Sequence, residues 1–479
     1  MRNLTMLTDL YQFTMMEAYF KCGNFNKRAV FDLFFREKAQ TNFVVFAGLE
    51  QVIDYIENLK FTKEDIEYLR SQNFSEDFLY YLKNFKFTGD IYSVKEGEIV
   101  FPNEPIFSVS AQLIQAQFIE TAILNIINHQ TLIASKAARI KYAASDGTLL
   151  EFGLRRAQGP DAAIYGTRAS IIGGFDATSN VMSAKLFGLS VKGTHAHSFV
   201  MSFDDELTAF RSYAKIYPDN CLLLLDTYDT IKSGIKNAIT VFSELKSKGH
   251  KPYGVRLDSG DIAYLSKVVR KQLNENDLAD VKICASGDLD EYSILSLKSQ
   301  GACVDIWGVG TKLITSEDMP SLGGVYKLCA IEKDNTMIPV IKISDNVQKI
   351  TNPGEKIVYR IFVDNMAEAD LICLKDEVID TTKPLTIFHP IETWKKTEFK
   401  NFTVKKLSEK IFENGKLIYQ KPALKQICEF HKRQISGFWD EYKRLDKPHI
   451  FKVDLSQKLY DLKTRLLIEQ PFLKSKNQL

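Results

Sequence analysis

The sequence lacks an excess of charge of either sign. Its 62 Lys and Arg residues are balanced by 60 Asp and Glu residues, so the formal net charge is +2. A generic nucleic-acid binder has a clear basic excess, and a disordered chain combines high net charge with low hydrophobicity. With 45% apolar and 25% charged residues, the composition is that of an ordinary globular protein. We therefore expect a folded protein that has no nucleic-acid partner.

The sequence is also poor in cysteine pairs and in long apolar runs. Its seven cysteines are scattered and form no CxxC pair, which indicates neither a disulfide scaffold nor a zinc ribbon. No apolar run approaches the roughly 18–20 residues of a membrane span. The N-terminal stretch carries Asp9 and Glu17, which a signal-peptide core would not contain. We expect a cytoplasmic protein with reduced, mostly buried thiols and no membrane partner.

A chain of 479 residues has room for roughly two to four domains, or for one large barrel and a smaller domain. Its middle part favours the barrel, because short apolar strands alternate there with helical segments such as 262–273 and 292–299. The strands are expected at 149–153, 222–225, 253–257, 281–284 and 304–307. This alternation is typical of βα units that form a parallel sheet.

The two ends of the chain have a mixed pattern. A helix is expected from about residue 10, with Asp9 or Thr8 as its N-cap, and further helices at 49–85 and 111–144. Strands are expected at 29–35, 340–343, 358–362 and 370–373, with a small β-layer at 92–109. Residues 433–479 are Lys-rich and predicted to be helical.

Polar residues follow the strands of the middle part. Asp226, Arg256 and Asp258 lie at strand ends, together with the turns SGD (286–288) and GVGT (308–311). Glycine lets backbone N–H groups approach an anion, and aspartates suit ribose hydroxyls or hydrated Mg²⁺. This set fits a sugar that carries phosphates at both ends. Each element alone has a simpler explanation, since Asp is a common N-cap and GxG a common tight turn.

His195 and His197 lie two residues apart in GTHAHSF (193–199), and in an extended segment they would point the same way. Such a pair can supply two zinc ligands, although the strand ends offer no third histidine. One of them can instead be a nucleophilic or phosphoryl-accepting histidine. A pair of hydrogen-bonded loop histidines explains the segment equally well.

Two further segments carry candidate contacts. In FGLRR (152–156), paired arginines follow a strand, and arginine offers a planar donor fork to carboxylate or phosphate. Phe152 could stack on a flat ring, although an aromatic residue at that position is more often part of the core. The small polar turn at 173–180 is a loop that would contact a ligand only if it lies nearby.

Nine segments of the first 330 residues closely resemble the nicotinate phosphoribosyltransferase family, in the family's order. They are TDLYQFTM (8–15), FDLFFRE (31–37), EFGLRRAQGPDAA (151–163), GGFDATSNV (173–181), GTHAHSF (193–199), LLDTYD (224–229), GVRLDSGD (254–261), ASGDLDE (285–291) and WGVGTKL (307–313). GLRRAQGPDA and RLDSGD are highly specific. The related nicotinamide-using family is similar in architecture but does not contain these strings.

The resemblance implies a fold and a reaction. The fold is α/β, an irregular, incomplete α/β barrel at 126–334 with the active site. A mixed α+β domain is formed by 1–125 with 335–430, and a helical C-terminal extension covers 431–479. The enzyme would join nicotinic acid to 5-phosphoribosyl 1-diphosphate, giving nicotinate mononucleotide and diphosphate in the first step of NAD salvage from nicotinate. It would couple this to ATP hydrolysis through a phosphohistidine at His197, and it would act as a homodimer with the active site at the interface.

The resemblance also implies roles for individual residues. The nicotinate contacts are Phe152, Ser179, Thr194, Arg256 and Tyr11 of the partner subunit. The contacts of the ribosyl diphosphate are Arg155, Asp226, Asp258, Gly287, Gly308, Gly310 and Thr311. Mg²⁺ or Mn²⁺ would be held through substrate phosphates, with Asp258 as the candidate protein ligand. Ser179 aligns with an acidic position of the nicotinamide family, and an uncharged residue there favours the acid over the amide. His195 and the Lys-rich C-terminal segment receive no role.

Three rival functions remain to be compared. The first is the same reaction with nicotinamide, against which Ser179 and the FGLRRAQGP segment count. The second is a metal-dependent barrel hydrolase that uses the HxH pair, which the lack of strand-end histidines disfavours. The third is a non-catalytic homologue, which the presence of Arg155, His197, Arg256 and Asp258 disfavours.

Overall fold

A computed structural model describes residues 3–36, 43–346 and 349–469 of the chain. The chain forms two compact units. Unit 1 consists of Met1–Leu132 and Ser321–Leu479, and unit 2 is Ile133–Pro320. Within the described ranges, no helix is long and apolar enough to cross a membrane.

The first part of the chain contains the helices and the β-layer that the sequence predicts. The expected helical stretch 49–85 is three separate helices, and the capping box of Thr62 and Asp65 starts the second of them. The helices are α1 (Leu10–Lys21), α2 (Leu49–Glu57), α3 (Lys63–Ser71), α4 (Glu76–Lys83), α5 (Leu113–Phe118) and α6 (Glu120–Ala144). The strands are β1 (Arg28–Phe35), β2 (Val44–Val45), β3 (Asp90–Val94), β4 (Ile99–Val100) and β5 (Phe107–Gln112).

The N-terminus of α1 differs in one detail from the prediction. Asp9 is the N-cap by its extended backbone, but its side chain makes no capping hydrogen bond. The Asp9 carboxylate instead accepts from Thr121 Oγ1 at 3.4 Å. The helix is held by packing, because the buried Phe13 ring lies among Phe61, Phe74 and Phe118 at centroid distances of 5.7 to 6.0 Å.

Unit 2 contains the predicted alternation of short strands and helices. Its strands are β6 (Thr148–Glu151), β7 (Ala177–Thr178), β8 (Leu222–Leu224), β9 (Gly254–Leu257), β10 (Lys282–Ser286) and β11 (Ile306–Val309). Its helices are α7 (Pro160–Ile172), α8 (Val181–Phe187), α9 (His197–Met201), α10 (Glu206–Ile216), α11 (Ile235–Ser247), α12 (Ile262–Glu275), α13 (Glu291–Ser299) and α14 (Thr311–Ile314).

The strands of unit 2 form one parallel sheet in the order β7-β6-β11-β10-β9-β8. The strands are short and almost wholly buried, which is usual for a parallel sheet covered by helices. Between the two outer strands, β7 and β8, the described residues form no ladder. The predicted fold class, an incomplete α/β barrel with a mixed α+β part, is confirmed.

The rest of unit 1 is rich in strands. They are β12 (Gly324–Lys333), β13 (Thr336–Pro339), β14 (Lys356–Val363), β15 (Met366–Leu374), β16 (Leu385–Phe388), β17 (Lys396–Phe399), β18 (Thr403–Lys406), β19 (Ser408–Glu413), β20 (Lys416–Leu417) and β21 (Lys452–Leu455). The helices are α15 (Leu424–Ser436), α16 (Asp440–Lys443) and α17 (Gln457–Glu469). The last segment is thus more than the expected helical extension, because β21 pairs in parallel with β15.

The largest sheet of unit 1 takes strands from both ends of the chain. Its order is β13-β12-β1-β5-β3-β19-β20, and all its ladders are antiparallel. A second sheet has the order β18-β14-β15-β21. The predicted strand at 340–343 is wrong. The hairpin turn at Asp334 and Asn335, both with positive φ, pairs β12 with β13 instead, and β13 ends at Pro339.

The seven cysteines are all free. Four of them, Cys221, Cys284, Cys329 and Cys373, are buried, while Cys22 is exposed. Burial raises the pKa of Cys221 and Cys284 to about 12, so both stay protonated and unreactive at neutral pH. Four of the seven thiols are buried, which agrees with the expectation from the sequence.

Candidate functional site

The candidate site of unit 2 lies where its parallel strands end. Phe152 directly follows β6, and Asp226 lies just beyond β8. Arg256 is within β9 and Asp258 follows that strand. The remaining strand-end residues are Gly287 after β10, Gly308 within β11, and Gly310 and Thr311 after β11. Because the strands are parallel, their carboxyl ends meet at one edge of the sheet, where ligands bind in α/β folds.

An arginine and two aspartates form the centre of this edge. Arg256 Nη2 lies 3.2 Å from Asp258 Oδ1, and the Ser286 hydroxyl donates to the same oxygen. Asp226 Oδ2 accepts from the Asp258 amide at 3.1 Å and from Ser259 Oγ at 2.5 Å. These bonds fix the carboxylates of two neighbouring strand ends relative to each other.

Two atoms of this cluster are buried and make no hydrogen bond with the described residues. They are Asp226 Oδ1 and Arg256 Nε. A buried polar atom without a partner costs free energy, on the order of 1–3 kcal/mol, and such atoms are frequent where a ligand binds. The cluster therefore has one acceptor and one donor that its own residues do not use.

The Asp258 carboxylate is ionised at neutral pH. Burial alone would raise its pKa, but the hydrogen bond from Ser286 and the charge of Arg256 lower the pKa below its usual value. His197 adds to this lowering, since its Nε2 lies 3.8 Å from Asp258 Oδ2. A fixed negative charge thus stands beside the histidine at the sheet edge.

The two histidines of the HxH pair have different surroundings. His197 is the first residue of α9, its side chain is 39% exposed, and its Nδ1 lies 3.2 Å from Thr227 Oγ1. His195 is buried, and its ring packs against Phe199 and Tyr213. Only His197 is accessible at the strand ends. Within the described part of the chain, no group of three or more His, Cys, Asp and Glu side chains is arranged to hold a metal ion, so the HxH pair gains no zinc ligands there.

A glycine allows Phe152 to lie across the neighbouring strand. A Cβ added at Gly308 would come within 2.6 Å of Phe152 Cε2, so a larger residue there would force the half-buried ring to shift. Gly287 has a φ of +96°, and a Cβ there would lie 2.3 Å from the Asp258 carbonyl oxygen. Gly287 is therefore needed for the close approach of adjacent strand ends, and Gly308 leaves room for the Phe152 ring.

Glu151 is a residue that the sequence reasoning missed. This buried carboxylate at the end of β6 accepts from the Gly153 amide, from Thr178 Oγ1 at 2.5 Å and from Thr167 Oγ1 at 3.1 Å. Burial raises its pKa, while these hydrogen bonds act in the opposite direction. Glu151 therefore connects β6, α7 and β7. An acidic residue closing an apolar strand was the available signal.

The other predicted residues have more ordinary positions. Ser179 is half-buried after β7, and its amide donates to the Glu151 carbonyl at 2.9 Å. The Thr194 hydroxyl donates to the Leu222 carbonyl. Arg155 is exposed on a short 3₁₀ turn after β6. Tyr11 belongs to unit 1, where its side chain is 46% exposed and its hydroxyl lies 3.4 Å from Glu120 Oε2.

Comparison with known proteins identifies the family. The model of the nicotinate phosphoribosyltransferase N-terminal domain matches residues 6–128, and that of the C-terminal domain matches residues 355–463. The nicotinate phosphoribosyltransferase of Bacillus subtilis (strain 168) is 50% identical over 476 residues, 97% of each chain. The chain belongs to the nicotinate phosphoribosyltransferase family. A nicotinate phosphoribosyltransferase of Caenorhabditis elegans is 37% identical over 519 residues, which cover 95% of this chain and 92% of the relative.

A solved structure supports the same family. The crystal structure of human nicotinic acid phosphoribosyltransferase matches with a TM-score of 0.85 and 28% identity, over 96% of this chain and 99% of the human chain. Both family models fall in unit 1, whereas the matches to the nicotinate phosphoribosyltransferases extend through unit 2. The strand-end residues therefore lie within the region shared with these relatives.

Proposed function

We propose that the chain is a nicotinate phosphoribosyltransferase. It joins nicotinic acid to 5-phosphoribosyl 1-diphosphate and forms nicotinate mononucleotide and diphosphate, the first step of NAD salvage from nicotinate. Family membership supports the reaction. The observation that carries the proposal in the structure is the strand-end cluster of Arg256, Asp226 and Asp258, with its unused buried donor and acceptor.

The ribosyl diphosphate is assigned to the strand ends. Asp226 Oδ1 is a free acceptor for a ribose hydroxyl, and the ionised Asp258 offers a second one. The turns after β10 and β11 bring the backbone of Gly287 and Gly310 to the same edge, where Gly308 lies near the end of β11 and Thr311 follows Gly310. Backbone amides in such turns are suited to phosphate oxygens. Arg155 is exposed and supplies a cation for phosphate.

Nicotinate is assigned to the neighbouring positions. Phe152 provides a ring face for stacking, and Arg256 provides a guanidinium group whose Nε is unused. Thr194 and Ser179 are half-buried, small and uncharged. The absence of a carboxylate at Ser179 avoids repulsion of the substrate's own carboxylate, which favours nicotinate over nicotinamide. Tyr11 of the partner subunit completes the stack in the proposed homodimer.

The reaction requires positioning more than covalent help from the protein. The bond between ribosyl C1 and the diphosphate oxygen breaks, and the nicotinate ring nitrogen forms a bond to C1 through an oxocarbenium-like transition state. Phe152 and Arg256 hold the ring so that its nitrogen faces C1. The carboxylates of Asp226 and Asp258 hold the ribose and lie close to the developing positive charge.

Mg²⁺ or Mn²⁺ fits this site through the substrate. No three-ligand cluster exists among the described residues, so substrate phosphates would supply most ligands and Asp258 is the candidate protein ligand. A bound divalent ion would neutralise charge on the departing diphosphate.

His197 is the proposed link to ATP. The γ-phosphoryl group moves to a ring nitrogen of His197, so that an N–P bond forms while the P–O bond to ADP breaks, and water later releases phosphate. The His197 side chain is 39% exposed, and its contact with Thr227 Oγ1 fixes the ring. A phosphoryl group there adds close to two negative charges beside Asp258, which changes the affinity of the site for an anion.

The test is incubation of the purified protein with nicotinate, 5-phosphoribosyl 1-diphosphate and Mg²⁺, with and without ATP, followed by chromatography of the nucleotides. We expect nicotinate mononucleotide in both arms, more with ATP, and little product from nicotinamide. Arg256→Ala should lose nicotinate turnover. Arg211→Ala, which removes an exposed arginine paired with Glu244, should keep it. Absence of product from the unmodified protein in both arms would refute the proposal.

A further inference from the structure

The open edge of β8 is closed by side chains. On its other edge β8 pairs with β9 through a backbone ladder. On the open edge, the Leu222 carbonyl accepts from the Thr194 hydroxyl, and the Leu224 amide donates to His195 Nε2 at 3.4 Å. Two consecutive side chains thus satisfy the groups that a neighbouring strand would otherwise pair.

The same segment is attached to β7 in a different way. There the Thr178 amide donates to the Ser190 carbonyl at 3.1 Å, and the Lys192 amide donates to the Thr178 carbonyl at 2.9 Å. Residues 190–195 therefore bridge the opening between the two outer strands. They use backbone bonds on the β7 side and side-chain bonds on the β8 side.

His195 has the protonation state that this bond requires. The ring is buried against Phe199, Phe210 and Tyr213, and burial lowers its pKa to about 4. The histidine is neutral at physiological pH, so one ring nitrogen carries no proton. Since Nε2 accepts from Leu224, the proton is on Nδ1, which faces the Ala196 carbonyl at 3.5 Å.

The location of this bond connects it to the candidate site. His195 lies between Thr194 and His197, and Leu224 is two residues before Asp226. His197 contacts the segment that follows β8, because its Nδ1 lies 3.2 Å from Thr227 Oγ1. A shift of the segment along β8 would therefore displace the Thr194 and His197 side chains relative to Asp226.

We propose that His195 is a positioning residue: its Nε2 takes the place of a strand carbonyl on the open edge of β8 and so fixes Thr194 and His197 at the strand ends. In this role His195 acts through Thr194 and His197 and not by contact with the substrate. The role of the hydrogen bond is independent of the reaction, whereas its kinetic consequence rests on the proposed function.

The competing explanation is that His195 only fills space in an aromatic core. Both explanations account for its burial and for its ring contacts. They differ in one respect, because positioning needs an acceptor at the place of Nε2, and space filling does not. A glutamine can place its side-chain oxygen near the position of Nε2, while an asparagine reaches only the position of Nδ1.

The experiment compares His195→Gln, His195→Asn and His195→Leu with the unmodified protein. Hydrogen exchange by mass spectrometry follows the peptide that contains Leu224, and steady-state kinetics give kcat and the KM for each substrate. We expect H195N and H195L to speed exchange at Leu224 and to raise the KM for nicotinate about tenfold, as loss of one hydrogen bond to a buried group predicts. H195Q should stay within about threefold of the unmodified protein in both readouts.

Two outcomes overturn the proposal. One is equal behaviour of H195Q and H195N, which would show that the reach of the acceptor does not matter. The other is unchanged exchange and KM in H195L. If H195L does not fold, the comparison of H195Q with H195N still tests the proposal, since both side chains are polar amides and differ mainly in how far the oxygen extends from the backbone. If the unmodified protein forms no nicotinate mononucleotide, the proposed function fails, while exchange at Leu224 still tests the hydrogen bond.

Discussion

At the scale of single residues, the candidate site separates groups that the sequence presents as a pair. His195 and His197 are two residues apart, yet one is buried in an aromatic cluster and the other is accessible beside Asp258. The start of α9 at His197 causes the separation, because the chain leaves the extended form that would align the two rings. Of the two histidines, only His197 is accessible to a molecule in solution.

His197→Ala should separate ATP hydrolysis from product formation. Without a phosphoryl acceptor, ATP should no longer stimulate the synthesis of nicotinate mononucleotide, and the ATP-independent rate should persist. The measurement is the ratio of ADP to nicotinate mononucleotide formed, together with acid-labile phosphate on the protein. His250→Ala, which removes an exposed histidine near Asp219, is the matched control and should leave the ratio unchanged. Stoichiometric ATP hydrolysis by H197A would contradict the role of His197.

At the scale of elements, the strand ends were predictable and their partners were not. Short apolar strands that end in Asp226 and Asp258 are a local pattern, and the parallel sheet confirms it. The contacts of Glu151 with Thr167 and Thr178, and the bond of His195 to Leu224, depend on which elements become neighbours, and a single sequence does not encode this locally. The hairpin turn at Asp334 and Asn335 was a missed local signal. The positive φ angles of these two residues form a tight turn, so β13 begins directly after it and ends before the expected strand at 340–343.

A second buried histidine makes helix α15 sensitive to acid. His431 lies in this helix, is 5% exposed, and its Nδ1 is 3.1 Å from the Gly97 carbonyl. Burial lowers its pKa from 6.5 to about 4, although the bond to Gly97 opposes this. The native protein therefore binds fewer protons than the unfolded chain between these values. The contribution of neutral His431 to the free energy of unfolding is complete above pH 6.5 and is lost as the pH falls toward 4.

His431→Asn should flatten this part of the pH profile. Asparagine can keep the donor to Gly97 at the position of Nδ1 and has no titratable group. Because a pKa difference of one corresponds to about 1.4 kcal/mol, the unmodified protein should lose roughly 2–3 kcal/mol more unfolding free energy between pH 7 and 4 than H431N. Urea denaturation at a series of pH values measures the difference. Parallel pH profiles of the two proteins would show that His431 does not titrate in this way.

At the scale of the whole molecule, sequence patterns did not predict which strands pair in the largest sheet. In this sheet β1 pairs with β12, and β3 pairs with β19, across about 300 residues of chain. Local periodicity predicts each strand but not such a pairing. The discontinuous domain was therefore predicted from the resemblance to a known family and not from local patterns. The expected boundaries of the folding domains, at 125, 334 and 430, stay a prediction.

The proposed homodimer leads to a test by complementation. If each active site combines the strand-end residues of one subunit with Tyr11 of the partner subunit, Tyr11→Ala and Arg256→Ala damage different halves of it. A heterodimer of the two variants then has one site in which both changes fall and one site with neither. Random pairing of equal amounts should restore about a quarter of the unmodified activity from two nearly inactive parents.

The measurement is turnover of nicotinate after co-expression of the two variants with different affinity tags and isolation of the doubly tagged species. Purified heterodimers should reach about half of the unmodified activity per dimer, since one of their two sites is intact. Mixing Arg256→Ala with Asp226→Ala is the control, because both changes lie in unit 2 and every site of that heterodimer carries one of them. No recovery in the test pair, once light scattering has shown a dimer, would place Tyr11 and Arg256 of one active site on the same chain. Recovery in the control would show that the strand-end residues of one active site come from both chains, which contradicts the arrangement assumed for the test pair.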